Sequence, residues 1–227
     1  MYYFWDWTFI LLVPALILGI YAQARVSSAY NRYSQIPSSR GMTGAQGARQ
    51  LLDSEGLMDV GIEVAGGRLS DHYDPRSRTL TLSADTANST SLAALGVAAH
   101  EAGHAMQHAA GYVPFKFRGA LVPVANVGSY LGMALFFIGL IFTRRGPLMS
   151  IGIALFSAAV LFTLVTLPVE LNASRRAMVA LQNRNILVGD ELIGAKKVLS
   201  AAALTYVAAA LMAILQLLRL IALSRRN

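Results

Sequence analysis

Four stretches of this chain run without a charged residue: Thr8 to Ala24, Gly119 to Thr143, Gly146 to Val169 and Val198 to Leu218. Each falls within the roughly 17 to 25 residues that a helix needs to cross about 30 Å of hydrocarbon. Between them the pattern is finer. Thr43 to Gly56 spaces Ala, Leu and Arg as a helix does, with a cap-like Thr at its start and a Gly at its end. Val60 to Ala65, Arg68 to Tyr73 and Thr79 to Ser83 read as short strands, with Gly66-Gly67 and Asp74-Pro75-Arg76-Ser77 as the turns between them. A shorter apolar run, Leu92 to Ala110, follows four N-cap candidates, Asn88 to Ser91, and predicts a helix over about residues 89–110. Ser34 to Gly44, with Pro37 and two glycines, reads as a linker.

These elements predict a predominantly α membrane protein, with about four transmembrane helices and a small α+β, zincin-like domain. The expected segments are an N-terminal anchor (1–25), the polar α+β domain (26–118), a transmembrane hairpin (119–169), a membrane-surface helical segment (170–197) and a C-terminal transmembrane helix with a basic tail (198–227). Composition agrees: 55% of the 227 residues are hydrophobic and 14% charged, and mean hydropathy is +0.50, which excludes an ordinary soluble domain.

The first span lacks a basic leader and a small-residue cleavage pattern, so it reads as a retained anchor. Trp5, Trp7, Tyr21 and Tyr112 suit interfacial positions. The short link Thr143-Arg144-Arg145-Gly146-Pro147 makes the middle spans a tight hairpin. It returns the chain at Glu170 to the membrane face left at Arg118. Residues 25–118 and 170–197 then share one side. Arg25, Arg32, Lys116, Arg118, Arg175, Arg176, Arg184, Lys196 and Lys197 flank the spans there, against Arg144, Arg145, Arg219, Arg225 and Arg226 opposite, which favours a cytoplasmic face for the polar domain. Membrane-flanking positions account for much of the net charge of +7, so no nucleic-acid partner is needed. The absence of Cys excludes disulfides and thiolate metal sites.

The apolar run around residue 100 contains His100-Glu101-Ala102-Gly103-His104. On a helix the two imidazoles stand about one turn apart on one face, within reach of one zinc ion at about 2.1 Å. Glu101, one step round, is placed to deprotonate water rather than to bind metal. Ala102 and Gly103 keep the metal face uncrowded, and burying two His and a Glu among apolar neighbours would be costly without a metal and its supporting hydrogen bonds. The pattern reads as a zinc hydrolase.

A catalytic zinc takes three protein ligands and leaves one position open. His108 lies about 12 Å along the helix axis from His100, too far to share an ion on a straight helix. Ala110 occupies the position where a third histidine of the metzincin type would fall. Glu170, where the third span ends, is the stronger candidate, on a helix continuing through Arg176; its bland alternative is an acid paired with Arg175 or Arg176. His72 suits an oxyanion donor or substrate contact better than a ligand, with a solvated hairpin histidine as the alternative. Asp71, Asp74, Asn172 and Ser174 are candidate partners for the ligating imidazoles. Leu80 to Ser83 either offers an open strand edge to an extended peptide or ends a small meander.

The blocks Asp71-His72-Tyr73-Asp74-Pro75, Ala98 to Ala105, Thr166 to Ala177 and Ala201 to Val207 together resemble the YugP family of bacterial membrane zinc metallopeptidases, over nearly the whole chain. The resemblance implies a zinc peptidase of the inner or plasma membrane, with one Zn2+ per chain and the HExxH histidines as ligands. More distantly the chain is similar to HtpX-type and CAAX prenyl proteases, in which a later helical Glu completes the site. Those families carry an acid four residues beyond that Glu, where this chain has Ser174.

The reading is thus an integral membrane zinc endopeptidase. Zinc is held by His100, His104 and Glu170, Glu101 is the base, and His72 is a second catalytic donor. Its substrates are peptides or membrane-protein segments at the bilayer, in membrane protein quality control. The competing reading is a non-catalytic scaffold or chaperone-like binder, whose structural metal would recruit a fourth ligand such as His72 or His108.

Overall fold

The computed structural model describes residues 7–67, 70–142 and 147–226. Trp5, the first two residues of the expected second strand (Arg68 and Leu69) and Thr143 to Gly146 of the expected hairpin link lie outside them. The elements run α1 (Val13–Tyr33, after a 3-10 turn Trp7–Leu12), α2 (Gly44–Ser54), β1 (Gly61–Ala65), β2 (His72–Asp74), β3 (Thr79–Ser83), α3 (Ala84–Asn88), α4 (Leu92–Ala109), α5 (Val113–Phe142), α6 (Pro147–Asn183) and α7 (Asp190–Arg226). The protein is mostly helical with one small mixed sheet, and four of its helices are long and apolar enough to cross a bilayer. The helices outrun the charge-free stretches. α6 continues well past Val169 into the polar sequence, because Leu171 to Asn183 contains no helix breaker.

The chain divides into two compact units. One comprises Met1–Ala22, Lys116–Pro168 and Thr205–Asn227. Its core gathers Phe136, Met149, Phe156, Val160 and Leu220. α5 and α6 approach closely here: a Cβ on Gly132 would lie 2.9 Å from the Gly152 carbonyl oxygen, and one on Gly152 2.6 Å from the Phe136 nitrogen. Small residues at such contacts let membrane helices pack backbone to backbone. Ile17, Ile20, Val127, Ile141 and Leu161 are exposed, as a surface facing lipid requires. Arg219, expected at a span end, is instead buried, its guanidinium 3.7 Å from the centre of the Phe9 ring and its Nε donating to the Thr8 hydroxyl at 3.2 Å.

The other unit comprises Gln23–Phe115 and Val169–Leu204. Its core is built by Leu51 and Leu52 of α2, Leu80 and Leu82 of β3, Leu95 of α4, Leu181 of α6 and Ile186 and Leu187 of the following turn, all essentially solvent-free. Thr43 caps α2 in a box with Gln46, each side chain bonding the other's backbone N–H. The sheet order is β1-β3-β2, with β1 parallel and β2 antiparallel to β3. This corrects both expectations for Leu80 to Ser83. β3 is the central strand, with no free edge and no meander order, because its alternate leucines are buried while β1 is largely exposed. The expected linker is also more than a tether. Ser38 N–H donates to the Thr90 carbonyl, Leu92 N–H to that of Ile36, and Ser39 N–H to the Glu191 carboxylate, tying residues 36–39 to the start of α4 and to α7.

Candidate metal centre

Ser91 caps α4, accepting from the Ala94 N–H, and the helix carries His100 and His104 on successive turns of one face, ring centres 4.8 Å apart. Across them lies α6. His100 meets Ser174 and Glu170 while Gln107 meets Asn172 and Val169, so the two helices run past each other in opposite directions. Gly103 makes this approach possible. A Cβ there would lie 2.6 Å from the backbone oxygen of Ala173. The small residue inside the motif therefore clears a helix contact rather than the metal face. Gly103→Ala is expected to push the helices apart, lowering stability by about 1 to 3 kcal/mol and weakening metal binding together. Thermal unfolding of the metal-free protein and a zinc titration check this, and wild-type values in both would refute it.

Glu170 Oε2 lies 3.2 Å from His100 Nε2 and 3.6 Å from His104 Nε2. All three ligand atoms fall within 4.8 Å of one another. Two ligands on a tetrahedral zinc at about 2.1 Å stand roughly 3.4 Å apart, so the donor set and its spacing fit zinc. His104 and Glu170 are buried, at 6% and 2% exposure, while His100 and Glu101 are half-buried. Among the described residues no fourth His, Asp or Glu joins the group. Burial alone would depress the His104 imidazolium, but the Glu170 carboxylate beside it, together with the charge of Glu101, outweighs this and raises its pKa above the ordinary 6.5. A raised pKa means the proton is held at higher pH. A metal must displace it, and loading weakens as pH falls through that raised value.

The outward-facing nitrogens are engaged as well. His100 Nδ1 lies 3.0 Å from Ser174 Oγ, so a hydroxyl one turn beyond Glu170 bonds this imidazole. His104 Nδ1 lies 3.0 Å from Gln107 Oε1. Gln107 Nε2 donates to the Val169 carbonyl at 2.7 Å and to Asn172 Oδ1 at 2.9 Å. Arg176 Nε donates to the same Asn172 oxygen at 2.9 Å. Gln107 was missed by the sequence reading. Its signal was its position one turn beyond His104 inside an apolar helix, where a polar side chain needs a partner.

Other candidates sit elsewhere. Asp71 accepts from the Ser83 N–H and hydroxyl, joining the segment before β2 to the end of β3, and Asp74 accepts from the Arg76 N–H and Ser77 hydroxyl within the turn after β2; neither serves a metal-facing imidazole. The Arg76 N–H, above all, holds the Asp74 carboxyl below its usual range. His108 is bonded through Nδ1 to the Tyr73 hydroxyl at 2.9 Å, joining α4 to β2. His72 is exposed on β2, with Nδ1 2.7 Å from the Ser70 carbonyl oxygen.

Helix-borne HExxH histidines facing a carboxylate from a second helix, in a chain with four apolar helices, define a multi-pass membrane protein with a zinc-peptidase type of site. Comparison with known proteins agrees. Residues 8–225 match the family described as "Putative neutral zinc metallopeptidase", and the chain belongs to that family. It is 45% identical over 211 residues, 93% of each chain, to the "Putative membrane protease YugP" of Bacillus subtilis (strain 168). No solved structure matches it.

Proposed function

We propose that this protein is a membrane-embedded zinc endopeptidase in which His100, His104 and Glu170 hold the metal and Glu101 is the general base. The observation that carries the reading is the pairing of a three-ligand cluster at zinc spacing with an adjacent, half-buried Glu101 carboxylate that makes no hydrogen bond or ion pair among the described residues. With no such partner, its oxygens are left to accept a proton from water. When bound, zinc polarises the scissile carbonyl and acidifies water. Glu101 takes the proton of the water whose oxygen adds to the carbonyl carbon, then hands it to the amine nitrogen as the C–N bond breaks. His72, exposed on the outer strand of the sheet, serves as a substrate contact or oxyanion donor. The lack of a fourth protein ligand among the described residues argues against a structural metal in a scaffold.

The substrates in this reading are segments of membrane proteins that reach the bilayer surface, as quality control requires. The active site faces the cytoplasm from the bacterial plasma membrane, as the basic residues flanking the spans favour. The test is hydrolysis by purified full-length protein of an unfolded membrane-protein substrate and of a quenched-fluorescent peptide library. Chelation is expected to abolish cleavage and one equivalent of Zn2+ to restore it. Metal bound at one per chain with no cleavage of either substrate would overturn the reading.

A further inference from the structure

We infer that Gln107, held by Asn172 and Arg176, is a positioning residue that fixes the tautomer of His104 and aims its Nε2 at the metal. The inference rests on the proposed reading of His104 and Glu170 as metal ligands.

The polarity of the chain can be read from its far end. A guanidinium has only donors, so the Asn172 atom facing Arg176 Nε is the oxygen. That oxygen also faces Gln107, and the Val169 carbonyl can only accept, so the Gln107 atom pointing at both is the amide nitrogen. Its oxygen is then the atom 3.0 Å from His104 Nδ1, which must carry the hydrogen. A neutral imidazole holds one proton. Placing it on Nδ1 leaves a lone pair on Nε2, the atom 3.6 Å from Glu170. Without an acceptor at Nδ1 the proton is free to occupy Nε2, where it blocks ligation.

Gln107 is fully buried, yet both its amide hydrogens and its oxygen are used. One of its bonds goes to the backbone of Val169, the residue before Glu170. A single side chain thereby registers ligands from two helices. Arg176 terminates the chain with a group that cannot exchange donor for acceptor, so the direction of every bond follows from it.

The test uses the full-length protein in detergent. Zinc affinity is measured by competition with a chromophoric chelator, and the protonated ring nitrogen of His104 is located by NMR of the zinc-loaded, 15N-histidine-labelled protein. Gln107→Leu is expected to weaken zinc binding about 10- to 100-fold. Asn172→Leu is expected to weaken it less, since the Val169 carbonyl still anchors the amide. Asn172→Asp keeps an oxygen facing both donors and is expected to bind zinc as wild type does, with the proton of His104 on Nδ1. Thermal unfolding of the metal-free variants separates loss of positioning from loss of fold. Wild-type affinity in Gln107→Leu would overturn the inference. Should that variant not fold, wild-type affinity in Asn172→Leu would overturn it, as would Asn172→Asp binding no better than Asn172→Leu. A wild-type protein that binds no zinc would overturn instead the metal centre on which the inference rests.

Discussion

Glu101→Gln is expected to keep one zinc per chain and lower kcat/KM by about 1,000- to 10,000-fold, the upper range for loss of a positioned general base. That factor corresponds to about 4 to 5.5 kcal/mol of transition-state stabilisation. The metal should stay because Glu101 is not among the atoms clustered at zinc spacing. The fold should stay because its carboxylate makes no bond among the described residues that an amide would break. Metal analysis beside peptidase kinetics checks both halves. Cleavage at wild-type rate would move the base elsewhere, and loss of zinc would make Glu101 a ligand.

Glu170→Ala should act through the opposite half of the chemistry. Metal-site binding energies of about 10 to 16 kcal/mol shared over four ligands imply a zinc affinity lower by at least about 100-fold, with activity lost at ordinary zinc concentrations. The metal-free variant should nevertheless melt close to the wild-type temperature. Glu170 is nearly solvent-free, so removing the carboxylate also removes its desolvation cost, and the buried His104 left behind can shed its proton rather than stay charged without a partner. Wild-type zinc affinity in this variant would exclude Glu170 as third ligand. A large fall in melting temperature without metal would show that the carboxylate holds the two helices together.

The sequence by itself determined the elements whose cause is local. Uninterrupted apolar length marks the four helices that can cross a bilayer, since hydrocarbon tolerates neither charge nor unpaired backbone. The i, i+4 spacing of His100 and His104 puts two imidazoles on one helix face wherever that helix goes. Thr43 and Ser91 start their helices by bonding N–H groups three residues on. Glu170 could be singled out because it is the first charge after a long apolar span.

The tertiary structure decided what depends on residues far apart in the chain. Strand order was one such matter: alternation shows which face of a strand is buried but not which neighbour it pairs with, and β3 became the central strand. The surroundings of the histidines were another. Ser174 reaches His100 across 74 positions, and Gln107 meets Val169 and Asn172 across 62 and 65. Of the four polar residues that the sequence offered as partners for the imidazoles, Ser174 bonds one directly and Asn172 bonds Gln107, while Asp71 ties to the end of β3 and Asp74 holds a turn. Gly103 belongs to the same class. Its lack of a side chain means nothing along its own helix and becomes decisive only where the Ala173 backbone is 2.6 Å from where a Cβ would stand. Local periodicity and capping follow from the bonds of a single helix, whereas a site between two helices follows from how closely they pack, and that is fixed by side chains each helix meets only in the folded protein.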